Sequence, residues 1–205
     1  MRDPDSPLEQ YESFLIGSRF EIVPPGREQR DRGRVALVVA RGAFGSGEHE
    51  TTMSCLEMIE SMGDLTSARV LDLGAGTGIL GIAALRSGAS HALLVDTDPR
   101  AVEASRRHAE LNRVADRVDV VHGQLADVGG DMFDIAFANI HGDVLIPIAR
   151  RLVDSVRPGG RILLSGIAWE WTWPVRDAYE RRGCRLMRRR FLEEFSTMLL
   201  VRPEG

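Results

Sequence analysis

No lysine occurs among the 205 residues; all 26 strongly basic side chains are arginine. The chain therefore carries no side-chain amine of its own to be modified, and only its terminal amine remains. Cysteine is almost as scarce. Cys55 and Cys184 are far apart in sequence and match no metal-ligand spacing, so they read as buried free thiols. No apolar run approaches the roughly 20 residues of a membrane span. The start, Met1-Arg2-Asp3-Pro4, lacks the apolar centre of a secretory signal. A cytoplasmic location with no membrane partner is the expectation. The net charge of -4 argues against bulk electrostatic binding to nucleic acid. Glu48, His49 and Glu50 are the nearest thing to a metal motif. Adjacent residues rarely converge on one ion, and no second cluster stands elsewhere, so no metal is expected.

What is present reads as an α/β chain of ordinary domain size. Residues 8–16 are expected to form a short helix. Residues 18–40 look β-rich, with strands at 19–23 and 35–39 around a Pro24-Pro25-Gly26 turn. Helical spacing runs over 51–62, with Thr51 or Thr52 as its cap. Beyond this, strands are expected at 69–73, 91–95, 117–121, 133–138, 161–165 and 195–202. Helices are expected near 78–87, 99–112, 143–156 and 172–183. Such alternation predicts a mostly parallel sheet with helices on both faces. Pro158-Gly159-Gly160 predicts a turn before a strand. The last two strands, separated by the arginine-rich segment 185–190, are expected to close the sheet as a hairpin.

The richest stretch is Val70-Leu71-Asp72-Leu73-Gly74-Ala75-Gly76-Thr77-Gly78. It reads as a buried strand, a glycine turn and the start of a helix. A dinucleotide site places a pyrophosphate on such a turn, and Asp72 would repel it. S-adenosylmethionine carries an ammonium and a sulfonium instead, and an acid beside the turn suits it. The pattern is also GxGxG, not the GxGxxG of dinucleotide sites. Asp96 follows the glycines by about 20 residues, the spacing at which a carboxylate can accept both ribose hydroxyls. The bland alternative is a turn serving only strand–helix packing, with Asp96 and Asp98 as solvated acids at a helix start.

Asn139 closes the fourth core strand, where ligands of open sheets bind. It is a candidate to bond the cofactor's amino-acid portion or a substrate amine; the alternative is a strand-end cap. His141 is the one histidine close enough to serve as a base. His91, His108 and His122 have no partners that the sequence names. Phe44, in the glycine loop 43–52, is a candidate to cover an apolar part of the ligand. Trp169, Trp171 and Trp173 share one side if the segment is extended, walling the substrate site or packing in the core or at an interface. Arg185, Arg188, Arg189 and Arg190 read as a solvated face, or as a surface for an acidic partner.

These residues resemble the bacterial PrmA family, which methylates a protein of the large ribosomal subunit. Loop 43–52 is similar to its AFGTGxHxTT signature. Val70 to Leu80, Val95 to Pro99, Ala138-Asn139-Ile140 and Arg157 to Gly166 match in order, and the likeness runs from about residue 14 to the end. The resemblance implies the class I methyltransferase fold: a Rossmann-like, doubly wound, seven-stranded and mostly parallel sheet. A short N-terminal extension (1–42) would precede the methyltransferase domain (43–205). It implies S-adenosylmethionine binding through Thr52, Gly74, Asp96 and Asn139, with Phe44, Thr51, Asp72 and Gly76 as neighbours. It also implies methyl transfer to a protein amine, usually lysine, with Asn139 and His141 as the catalytic candidates.

Asn139-Ile140, without a following Pro-Pro-aromatic, is unlike the motif of nucleobase amino methyltransferases. The family carries an additional N-terminal domain that grips the ribosomal substrate, and from its start this chain is expected to lack it. Ser46 and Glu48 replace common threonines, and His141-Gly142-Asp143 stands where the family has a Leu-Ala stretch. The tryptophan cluster has no counterpart there. The expected acceptor is therefore a protein lysine or a smaller amine, with the ribosomal protein less favoured. Lysine methyltransferases for an electron-transfer flavoprotein subunit are similar in standing alone. The competing readings are a small-molecule methyltransferase and an inactive cofactor-binding partner module. An NAD-linked oxidoreductase is the remaining alternative, and Asp72 is misplaced for it.

Overall fold

A computed structural model describes residues 11–40, 48–130 and 132–204. Its centre is a seven-stranded sheet of order β6-β5-β4-β7-β8-β10-β9. The strands are β4 (Arg69–Leu73), β5 (His91–Asp96), β6 (Val118–His122), β7 (Phe133–Asn139), β8 (Val156–Ala168), β9 (Arg185–Phe191) and β10 (Phe195–Val201). The first five run parallel, and β10 is antiparallel to both its neighbours. A smaller sheet, β1-β2-β3 (Phe14–Ile16, Phe20–Val23, Val35–Val38), precedes it. This is the doubly wound α/β class that the alternation predicts. Among the described residues no helix is long and apolar enough to cross a membrane.

Side-chain alternation divides the core in two. On β7, Ile135 and Phe137 point into one apolar cluster and Ala136 and Ala138 into the other. The first cluster is covered by α1 (Glu50–Ser61), α2 (Ile79–Arg86) and α3 (Pro99–Leu111); the second by α4 (Gly142–Ser155) and α5 (Trp169–Glu180). Helix α2 is apolar and buried from Ile79 to Leu85 and ends on Arg86. Helix α3 starts on Asp98, whose carboxylate accepts from the Arg100 N–H, followed by Pro99 in the first turn.

The small sheet is stitched to α3 by two polar side chains. Asn112 Oδ1 accepts from Val38 N and its Nδ2 donates to Val38 O, both at 2.8 Å. His108 accepts from Ala40 N at 2.9 Å while its Nδ1 donates to Ala104 O at 2.7 Å, which fixes a neutral ring. Burial holds the His108 pKa below its usual value. His108, partnerless by sequence, is a structural residue.

Several expectations need correction. Phe14–Ile16 is a strand, not the end of a helix, because it pairs antiparallel with Phe20–Ile22. Pro158-Gly159-Gly160 does not break the chain before a strand. It is a left-handed irregularity (Gly159 φ +73°) inside β8, absorbed by a register shift against β7. The arginine-rich segment is itself strand β9, hairpinned to β10. Charged residues suit this place because β9 is the sheet's edge. The tryptophans lie on helix α5, so their spacing does not put them on one side. Cys55 and Cys184 are buried free thiols, and burial pushes them up to about 12 and about 11.

Candidate functional site

The carboxyl ends of β4, β7 and β8 converge with the start of α1 around one cleft of about 340 Å³. That volume is within the range of small-ligand sites. The β4 end supplies the glycine turn. Gly74, Gly76 and Gly78 all have left-handed φ (+68°, +57° and +75°), which side chains with a Cβ adopt only with strain. A Cβ on Gly74 would also stand 2.3 Å from Ile140 Cγ2. The turn is tied down by Val95 O, which accepts from Gly74 N and Ala75 N, and by Ser105 Oγ, which donates to Gly76 O.

Asp72 lines this cleft from beneath the turn. It is 1% exposed, and its Oδ2 accepts from Gly81 N in α2 at 2.9 Å. Burial pushes its carboxyl up to about 7; the Gly81 N–H opposes the shift and the nearby Asp96 charge adds to it. Asp96 ends β5. Its Oδ2 accepts from Gly76 N and its Oδ1 from Asp98 N, both at 2.9 Å. It is half-buried and braces the turn from the neighbouring strand.

Asn139 ends β7, paired in register with Ser165 of β8. Its Oδ1 is removed from solvent and has no hydrogen-bond partner among the described residues. Gly166 leaves room beside that oxygen: a Cβ there would lie 3.2 Å from it and 3.0 Å from Ile140 O. His141 occupies the N-cap position of α4 and also lines the cleft.

On the opposite wall, α1 begins. His49 is its cap, with Nδ1 accepting from Thr51 N, so the expected threonine cap is displaced by the residue before the helix. Thr51 and Thr52 are buried and line the cleft. The His49 ring meets Phe195 edge-on at 5.6 Å. Phe195 is held there because the Glu50 carboxylate accepts from Glu193 N and Glu194 N, clasping the β9–β10 turn to α1.

The cleft thus brings together Thr51, Thr52, Asp72, Gly74, Gly76, Asn139 and His141 of the sequence candidates, with Asp96 reached through Gly76. Phe44 lies outside the described residues. His49, Ile140, Gly166 and Phe195 are cleft residues that the sequence reading gave no role. Three of them sit inside motifs already singled out, where adjacency was the available signal. Phe195 had none, because only the returning hairpin carries it there.

The family described as "Ribosomal protein L11 methyltransferase (PrmA)" matches residues 5–202. A "Ribosomal protein L11 methyltransferase" of Methylococcus capsulatus is 44% identical over 178 residues, covering 86% of this chain and 59% of the relative. One from Marinobacter nauticus is 43% identical over 176 residues, covering 84% and 58%. The crystal structure of a ribosomal protein L11 methylase from Lactobacillus delbrueckii subsp. bulgaricus superposes with a TM-score of 0.83 at 23% identity, covering 94% of this chain and 98% of that one. An RNA methyltransferase from Salinibacter ruber, in complex with S-adenosyl-L-homocysteine, shares the fold at a TM-score of 0.59 and 20% identity, covering 74% and 92%. The chain spans about 59% of the length of the first of these relatives. On the family match and these identities, the chain belongs to the ribosomal protein L11 methyltransferase (PrmA) family.

Proposed function

We propose that this chain is an S-adenosylmethionine-dependent methyltransferase acting on an amine nitrogen of a protein, with the ribosomal protein named for its relatives as acceptor. The observation that carries the reading is Asn139 Oδ1, a desolvated acceptor with no partner among the described residues beside the cleft. An unpaired buried carbonyl costs about 1–3 kcal/mol, so the site is built for a donor that arrives from outside. An ammonium or an amine N–H is such a donor. Asp72 and the glycine turn suit the same ligand: a buried carboxyl for positive charge, and a backbone that a Cβ would obstruct. We read residues 43–205 as the methyltransferase domain and 1–42 as its extension.

Bound S-adenosylmethionine supplies a methyl group activated by its sulfonium. The protein's share is binding and alignment, which accounts for most of the acceleration in a direct displacement. Asp96 keeps lone pairs beyond its two backbone bonds for the ribose hydroxyls. Thr51 and Thr52 meet the ligand from the α1 side. Asn139 Oδ1 orients an N–H so that the nitrogen lone pair faces the methyl. The attacking amine must be neutral, and His141 at the rim is placed to take the proton it sheds. The test is methyl incorporation into the purified ribosomal protein from labelled S-adenosylmethionine. Asn139→Ala is expected to lower kcat/KM by about 10- to 100-fold, the weight of a hydrogen bond to the positive charge that develops on the nitrogen as the methyl transfers. No label with the wild-type chain, despite measured binding of S-adenosylhomocysteine, would overturn the acceptor assignment. Unchanged turnover in the variant would overturn the role of Asn139.

A further inference from the structure

Three segments frame one side of the cleft at the carboxyl end of the sheet: His141 to Val144 at the start of α4, Trp169 to Trp173 at the start of α5, and the β9–β10 turn from Leu192 to Phe195. They are contiguous. Trp171 packs on Gly142, where an added Cβ would lie 2.5 Å from the tryptophan Cβ. Phe195 pairs with Ala168, the residue before Trp169. Thr172 is bonded to Ser196 at 2.9 Å, so α5 is anchored and its tryptophans are displayed. Trp169 is 57% exposed and Trp173 is 66% exposed. Large aromatics left open beside a cleft mark an interaction surface.

The rim's charge has one sign. Asp143, Glu170, Glu193 and Glu194 are all exposed, and these three segments contain no arginine. Glu193 and Glu194 use only their backbone N–H groups in the Glu50 clasp, which leaves their carboxylates outward. The ring of Trp173 already takes a cation, since the Arg176 guanidinium lies 5.9 Å from its centroid.

We propose that this aromatic and acidic rim docks a basic, lysine-bearing segment of the methyl-accepting protein and feeds one lysine into the cleft. The proposal rests on the methyltransferase reading above. The carboxylates complement positive charges flanking the acceptor lysine, and the tryptophans take the alkyl stems and cationic heads of its neighbours. A nucleic-acid backbone would meet four carboxylates here, which disfavours it.

The chain's three tryptophans are all on this rim, so intrinsic tryptophan fluorescence reads its occupancy directly. The experiment adds blocked peptides with a central lysine flanked by arginine, glutamine or glutamate to the protein saturated with S-adenosylhomocysteine. Binding of the homocysteine compound is measured separately by calorimetry. The arginine-flanked peptide is expected to shift the fluorescence, more strongly at low salt, and to bind on the order of tenfold more tightly than the glutamate-flanked one. The combined variant Glu170→Gln, Glu193→Gln, Glu194→Gln should abolish that preference and raise KM for the arginine-flanked peptide while leaving kcat and homocysteine binding unchanged. A preference for the acidic peptide, or a response to oligouridylate in place of peptide, would overturn the proposal. So would no peptide response while S-adenosylhomocysteine binds. Failure of S-adenosylhomocysteine to bind at all would instead remove the methyltransferase reading, and the rim proposal with it.

Discussion

Asp72→Asn isolates an acid whose titration the fold forces into the neutral range. The wild-type carboxyl has an ordinary value of 3.8 and is pushed to about 7, chiefly by burial. Between these values the folded state holds a proton that the unfolded state has released. Stability therefore falls as pH rises through this window, and the contribution is fully retained only below the unfolded value. From pH 5.5 to pH 8.0 the linkage relation gives a loss of about 2 kcal/mol attributable to this group. Asparagine keeps an oxygen to accept from Gly81 N and has no such proton to lose. Urea unfolding of both proteins at the two pH values reads the difference directly, because every other titrating group cancels. The wild type should lose about 2 kcal/mol more than the variant. A ligand that needs the ionised carboxylate should also bind the wild type about 30-fold more tightly at pH 8.0 than at pH 5.5, and the variant without that dependence. Parallel stability curves for the two proteins would refute the reasoning, since the carboxyl would not then titrate in this range.

Asn112→Ala strips Val38 of both its side-chain hydrogen bonds and should cost about 2 kcal/mol in chemical denaturation, with little effect on ligand affinity. Glu50→Ala releases the β9–β10 turn and with it Phe195; KM for the acceptor should rise severalfold in steady-state assays while thermal stability changes by less than about 1 kcal/mol, the scale of partly exposed hydrogen bonds. His108→Leu removes a ring that burial keeps neutral, so the stability the wild type loses on acidification from the ordinary value of 6.5 down to its depressed folded pKa should be absent in the variant.

The parallel core was legible because each strand there is a short apolar run bounded by glycine or acid, and the periods of strands and helices alternate cleanly. The same regularity placed Asp72, Asp96 and Asn139 at strand ends before any coordinates. What escaped the sequence depended on distant partners. Phe14–Ile16 is a strand only because Phe20–Ile22 is beside it. The arginines of β9 look solvated, as they are, and nothing local says that their backbone completes a sheet. The tryptophans follow Gly166 and precede Pro174, which suggests an irregular segment. The helix forms because Thr172, Val175 and Tyr179 bury one face against β8 and β10, which outweighs the interior Pro174. Phe195 and His49 meet through a clasp across 143 residues of chain, a pairing with no signature in either segment.

The stitch between β3 and α3 bears on how the molecule comes apart. Ile16, Phe20, Ile22 and Leu37 share one apolar cluster with Leu56, Ile82, Leu94 and Phe137, so a continuous apolar core runs between the small sheet and the large one. Asn112 and His108 bind the last strand of the small sheet to a helix that Ser105 also ties to the glycine turn. Opening either sheet exposes the interior of the other. The described residues should consequently melt in a single cooperative step, and the Val38 and Ala40 amides should exchange with solvent only as fast as the whole unit unfolds.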